Sequence, residues 1–258
     1  MVKKILKIAL WVITGVALTT LFVYGRRWYL DTPLKGIVFQ LERDRDNGFV
    51  KTDSVMSYVE AISDIKHHAA NSSVNLMKIR DFLNSNPWIE SSSAYIGLND
   101  TLIIHAKEYD PVIRVFNQDK RSVYVTSDGV VIPSSPNYAP HLIIASGEFS
   151  FPTPDSKTTV NDSIYANTGL PEALAIAKAI RNDQTTAKHI GQIYKNTNNK
   201  YELMVNNLPA RVILGDTNMV ANKLTRLGIL LEKYGGTEEL DNYKTLDLKY
   251  KNQIVCTK

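Results

Sequence analysis

The sequence predicts an α+β protein with a single N-terminal transmembrane helix. Three observations carry that prediction. Residues 8–24 form an apolar stretch without one charge. Residues 34–110 order their patterns as strand, helix, helix, strand, strand. Residues 111–258 then alternate short strands with two amphipathic helices, the pattern of a mixed α/β domain built on an antiparallel-rich sheet.

A helix over residues 8–24 is about 26 Å long at ~1.5 Å of rise per residue. A bilayer core is roughly 30 Å thick, and Ile5 and Leu6 add the missing turn if Lys7 extends its ammonium back to the headgroups. Lys3, Lys4 and Lys7 precede the stretch and Arg26 and Arg27 follow it. Trp11, Trp28 and Tyr29 stand near its boundaries, as interfacial aromatics do. A cleaved signal has a shorter apolar core, of about 7–15 residues, and a small-residue cleavage site. Here the exit reads Phe22-Val23-Tyr24-Gly25-Arg26, and no Cys follows to accept a lipid. Residues 1–7 are therefore expected to be a cytoplasmic tail, 8–24 an uncleaved anchor and 25–33 a short linker. The lysines and the amino terminus outweigh the two arginines, so the body is expected outside the cytoplasm.

Beyond the linker, Gly36-Ile37-Val38-Phe39-Gln40-Leu41 reads as a strand. Thr52 or Asp53 caps a helix that places Val55, Val59 and Ile62 on one face. Residues 67–73 are polar and loop-like. Leu76, Ile79, Phe82 and Leu83 recur at helical spacing until Asn86-Pro87. Residues 88–98 and 102–106 are paired strands around an Asn99-Asp100 turn, and Asp110-Pro111 marks a boundary.

In the second half, 112–116, 122–125 and 130–132 are strands, the last two joined by an Asp128-Gly129 hairpin. Leu142-Ile143-Ile144 is another apolar run. Residues 148–169, rich in Ser, Thr, Pro and Asn, read as a long mobile loop. Pro171 opens a helix with Leu174, Ala177 and Ile180 inward. Strands follow at 190–194, 200–205 and 210–214. Asp216 or Thr217 caps a helix whose Val220, Leu224, Leu227, Leu231 and Tyr234 form one stripe, ended by Gly235-Gly236. Lys223, Arg226 and Lys233 are expected in solvent on its other face. Leu246, Leu248 and Tyr250 alternate with Asp247 and Lys249, so 245–250, continuing through Gln253-Ile254-Val255, reads as one last strand. At the end of the sequence it is expected to be an exposed edge.

Composition narrows the chemistry. The chain carries a net charge of +4, yet residues 1–27 hold five of its 30 Lys and Arg and none of its 26 Asp and Glu. The remainder is nearly neutral, without the basic footprint of a nucleic-acid binder. One cysteine, Cys256, excludes an intramolecular disulfide; near the end of a strand it reads as a passive small residue. The five histidines are scattered, and His67-His68 lacks a nearby third ligand, so no metal site is expected. Ser72-Ser73 and Ser91-Ser92-Ser93 lack a nucleophile elbow, and no phosphate or dinucleotide loop occurs. Neither a catalytic site nor a cofactor is expected.

The order of elements over 34–110 resembles a POTRA domain. Asn86-Pro87-Trp88-Ile89, Asn99-Asp100-Thr101-Leu102-Ile103-Ile104, Glu108 and Pro111-Val112 resemble the close of that domain in the cell-division family FtsQ/DivIB. The hairpin 124–132, the Pro140–Gly147 segment, and the helix 218–234 followed by Leu246-Asp247-Leu248-Lys249-Tyr250 are similar to the family's later landmarks, in the same order. The sequence departs from the family pattern at Leu98-Asn99-Asp100, where an Arg-rich turn is usual, at Tyr109 and Ile113, and in the 148–169 insertion.

The resemblance implies a non-enzymatic divisome scaffold of the cytoplasmic membrane, concentrated at the septum. Its implied partners are FtsB-like and FtsL-like single-pass coiled-coil proteins, and its implied role is support of septal peptidoglycan synthesis. A partner strand adds to the last sheet edge in that family. Carried over by position, the implied partner-binding residues are Leu248, Lys249, Tyr250, Lys251, Gln253 and Val255. Another anchored POTRA protein, serving polypeptide transport at the outer membrane, would normally bring a barrel, and 111–258 lacks the strands for one. A tethered envelope enzyme would need a convergent polar constellation, which the sequence does not display.

Overall fold

The computed structural model describes every residue except 1, 44–46, 64–69, 155–156 and 236. The chain divides into two compact units: residues 1–43 with 50–108, and residues 109–258, to which Phe49 is joined.

The first unit begins with helix α1 (Val2–Asp31). It is the one described helix long and apolar enough to cross a membrane, and none of its apolar window is buried by protein. Most of the stretch 25–33, expected to be a linker, is helical up to Asp31. Gly25 costs the helix less than it would in isolation because apolar turns flank it and tertiary bonds hold its end. Those bonds are specific. The Tyr29 hydroxyl donates to the Ile96 carbonyl at 3.2 Å. The Asn71 amide donates to the Tyr29 carbonyl at 3.2 Å and to an Asp100 carboxylate oxygen at 2.9 Å. Lys35 pairs with the same carboxylate at 2.9 Å. The bonds from Lys35 and Asn71 hold the Asp100 carboxyl below its usual range.

After α1 come strand β1 (Gly36–Glu42), helix α2 (Thr52–Ser63), a 3-10 turn at Asn71–Ser73, helix α3 (Leu76–Ser85), and strands β2 (Ile89–Ile96) and β3 (Thr101–Glu108). The sheet order is β1-β3-β2, with β1 parallel and β2 antiparallel to β3. Val55, Val59, Ile79 and Leu83 from the helices pack with Ile89, Leu102, Ile104 and Ala106 from the strands. Tyr58 stacks on Phe82 at 3.6 Å, which closes α2 against α3. The polar loop expected at 67–73 ends in a structural contact, because Asn71 is 4 % exposed. His67 and His68 lie outside the described residues.

Among the described residues the second unit is one ten-stranded mixed sheet with helices packed on it. Strands β4 (Pro111–Phe116), β5 (Ser122–Thr126), β6 (Val130–Pro133), β7 (Ile143–Gly147) and β8 (Thr158–Thr159) come first. Helices α4 (Leu170–Asn182) and α5 (Thr186–His189) lead to β9 (Ile190–Lys195), β10 (Tyr201–Val205) and β11 (Arg211–Gly215). Helices α6 (Val220–Tyr234) and α7 (Glu238–Asp241) precede β12 (Thr245–Asp247) and β13 (Val255–Thr257). The order across the sheet is β13-β12-β11-β10-β9-β7-β4-β5-β6-β8.

A single cross-strand row organises this unit. Val123 faces Val115, which pairs with Ala145, then Ile193, Leu203, Val212, Leu246 and finally Cys256. From Val123 to Leu246 every member is buried. Alternation along each strand puts these residues on one face, where Leu174, Ala177 and Ile180 of α4 and Leu224, Leu227 and Leu231 of α6 cover them. The segment 148–169, expected to be a mobile loop, is pinned at four points: Phe149, Phe151, Val160 and Tyr165 are at most 6 % exposed. Phe49 packs its ring against Tyr124 and Tyr138. Gly147 has φ +105° and brings β7 so near β9 that a Cβ would stand 2.1 Å from the Lys195 carbonyl oxygen.

Candidate functional site: the end of the large sheet

The sheet terminates in β13, and no described strand pairs with its outer side. The residues read from the sequence as one strand over 245–255 do not form one. β12 stops at Asp247, the chain turns, and β13 returns antiparallel to it, pairing Val255 with Asp247 and Thr257 with Thr245. The alternation that suggested a continuous strand has another cause. Leu248 is fully buried and belongs to the core beneath α6, and its amide donates to the Ile213 carbonyl. Asn252, at φ +59°, supplies the left-handed residue that lets the chain reverse.

Helix α6 sets this corner from beneath. Lys223, expected in solvent, is 7 % exposed. Its ammonium donates at 3.0 Å each to the Leu214 carbonyl, the Asp216 carbonyl and an Asp216 carboxylate oxygen. The bond from Lys223 holds the Asp216 carboxyl below its ordinary value. Asp216 does not cap α6 through the expected pattern. Met219, in the left-handed region at φ 52°, occupies the cap position instead. Arg226 is also not simply solvated. Its guanidinium donates to the carbonyls of Tyr250 at 2.7 Å, Gln253 at 2.6 Å and Leu248 at 3.1 Å. One side chain on α6 thus fastens both ends of the 248–254 turn.

The six sequence-derived partner residues fall into distinct places. Leu248 is core. Lys249 is exposed but tied locally: its amide bonds the Asp247 carboxylate at 2.9 Å and its ammonium pairs with the same side chain at 3.1 Å. Tyr250 is 49 % exposed at the start of the turn. Lys251 and Gln253 are exposed turn residues, and Val255 opens the edge strand with 37 % of its surface in solvent. Cys256 ends the apolar row, half-buried, and burial pushes its thiol above the ordinary value. A thiol held protonated is a poor nucleophile.

Two of the residues that shape the corner escaped the sequence reading. Lys223 had a legible signal, because it stands three residues after Val220 and four before Leu227, inside the apolar stripe. Arg226 had none, because its three acceptors come from a turn the alternation concealed. Elsewhere, a cleft of about 690 Å³ lies at the start of β4, β7 and β9, lined among others by Val112, Arg114, Pro140, Ile144 and Arg181. It gathers no acid–base pair. Among the described residues no group of three or more His, Cys, Asp or Glu is placed to hold a metal ion.

Fold and site together define an α+β protein with one apolar N-terminal helix, fit to be a membrane anchor, and an open sheet edge. The family model "FtsQ/DivIB, C-terminal related" matches residues 110–257, more than half of the chain, and the chain belongs to that family. The family is one of non-enzymatic divisome scaffolds, which gives the chain a role in cell division and points to the division site. Comparison with curated proteins gives no match.

Proposed function

We propose that this chain is a non-enzymatic, membrane-anchored scaffold of the divisome, binding FtsB-like and FtsL-like partners and supporting septal peptidoglycan synthesis. In this reading α1 holds the protein in the cytoplasmic membrane with both units outside the cytoplasm. Residues 34–110 act as a POTRA domain, a reading supported by their strand-helix-helix-strand-strand order. Residues 111–258 carry the partner-binding surface.

The observation that carries the proposal is the outer side of β13, which no strand among the described residues pairs. An edge strand exposes main-chain donors and acceptors that an extended partner segment can satisfy, while side chains beside it select the partner. Tyr250, Lys251, Gln253 and Val255 supply that selection, Lys249 lies next to them, and Leu248 supports them from the core. The decisive experiment is depletion of the protein in growing cells, with a fluorescent fusion followed by microscopy. Cells are expected to grow as filaments and the fusion to collect at midcell. Normal septation after complete depletion would remove the proposed function.

A further inference from the structure

Arg226 is not one of the proposed partner-binding residues, yet its guanidinium is committed to three main-chain acceptors in the turn before β13. Its Nε also donates to the Asn222 carbonyl within α6, which orients the planar group toward the turn. A guanidinium presents five donors in a fixed fork. It can therefore hold the carbonyls of residues 248, 250 and 253 in one geometry, and those residues bracket the reversal. The bonds to Tyr250 and Gln253, at 2.7 and 2.6 Å, are at the short, strong end for a charge-assisted bond.

Within the turn, the Leu248 amide is used by Ile213 and the Lys249 amide by Asp247. The carbonyls of 248, 250 and 253 are used by Arg226. Only part of the main chain over 248–253 is committed in this way; what bars an added strand from the stretch is its shape, because the chain lies between β12 and β13 and reverses at Asn252, φ +59°. Among the described residues the outer side of Val255–Thr257 has no neighbour in the sheet.

We infer that Arg226 is a positioning residue: by holding the carbonyls of residues 248, 250 and 253 it keeps the turn reversed, fixes β13 in place and confines strand addition by an extended partner segment to Val255–Thr257. The inference rests on the edge-strand reading given above. In it, Tyr250 and its neighbours meet the partner through side chains, while the backbone pairing is supplied by β13 alone.

The test uses the full chain in detergent micelles with the labelled extracytoplasmic segment of the FtsB-like partner. Hydrogen exchange and a binding titration are read on the same samples. Arg226→Ala is expected to speed amide exchange over 249–257, to leave α4 and β9 unchanged, and to weaken binding by roughly tenfold or more, the scale of losing several charge-assisted bonds. Arg226→Lys is expected to fall between the two, because one ammonium cannot span three carbonyls, and it serves if Arg226→Ala does not fold. In the wild type, bound partner is expected to protect amides in 255–257 and not in 249–253. Unchanged exchange in both variants, faster exchange with unchanged affinity, or partner protection centred on 249–253 would each overturn the inference. Val255→Pro and, separately, Cys256→Pro provide the distinguishing arm, since adjacent strand amides face opposite sides. If neither weakens binding, the edge reading itself falls. If either does and Arg226→Ala does not, only the positioning role falls.

Discussion

Lys195 shows at the scale of one residue how a charge can be kept inside a sheet. It is 5 % exposed. Its ammonium donates to the Thr168 carbonyl at 3.2 Å and lies 5.3 Å from the centre of the Phe149 ring. Burial lowers its pKa, and the carboxylates of Glu172 and Glu148 oppose that shift only in part. Between the lowered native value and the ordinary lysine value of about 10.4, the unfolded chain binds the proton and the folded chain does not, so stability rises with pH across that window. The penalty is present in full below the native value. Lys195→Met keeps the stem and removes the charge. Thermal melts of the full chain in micelles between pH 7 and about pH 10 are expected to show a rise for the wild type that the variant lacks. The variant should be at least as stable as the wild type at pH 7. A variant that is less stable at pH 7 and keeps the same pH slope would show that the ammonium's bonds outweigh its desolvation.

At the scale of elements, the patterns that could be read were those set by the core, and the readings that failed lay where a polar group or turn had a tertiary partner. The helical spacing of Leu76, Ile79 and Leu83 and of Val220, Leu224, Leu227 and Leu231 survives because one face of each helix is buried. The Asp128-Gly129 hairpin was legible because Gly129 takes the positive φ its turn requires, +85°. The end of the chain was not, since Leu246, Leu248 and Tyr250 alternate as a strand would. Leu248 is buried beyond the strand's end, and only Asn252 hinted at the reversal. The stretch 148–169 lies mostly outside regular secondary structure, as its Ser, Thr, Pro and Asn content suggests, but its aromatic residues are packed into the core. Tyr165 is fully buried and its hydroxyl lies 3.1 Å from Thr158 Oγ1 at β8. If this contact pins the segment, Tyr165→Ala should destabilise the protein by about 3 kcal/mol, within the usual range for a large buried ring. Hydrogen exchange should also accelerate over residues 158–168. An exchange rate already fast in the wild type would restore the mobile-loop reading.

For the whole molecule, the decisive quantity is the distribution of charge about α1. The net charge of +4 arises in residues 1–27, while the remainder of the chain is close to neutral. Three lysines precede the apolar stretch and two arginines follow it, so the positive-inside bias and the size of the following body act in the same direction. The bonds from Tyr29 and Asn71 tie the end of α1 to the first unit rather than to a loose tether. Whichever side of the membrane receives Arg26 and Arg27 therefore receives the folded body as well. Protease added to spheroplasts is expected to degrade the chain beyond α1 while a cytoplasmic marker stays intact, and an antibody to an N-terminal tag should recover only a fragment slightly longer than α1. Full protection of the body under conditions that digest a known periplasmic protein would place it in the cytoplasm. That outcome would also withdraw the edge of β13 from any partner segment outside the membrane.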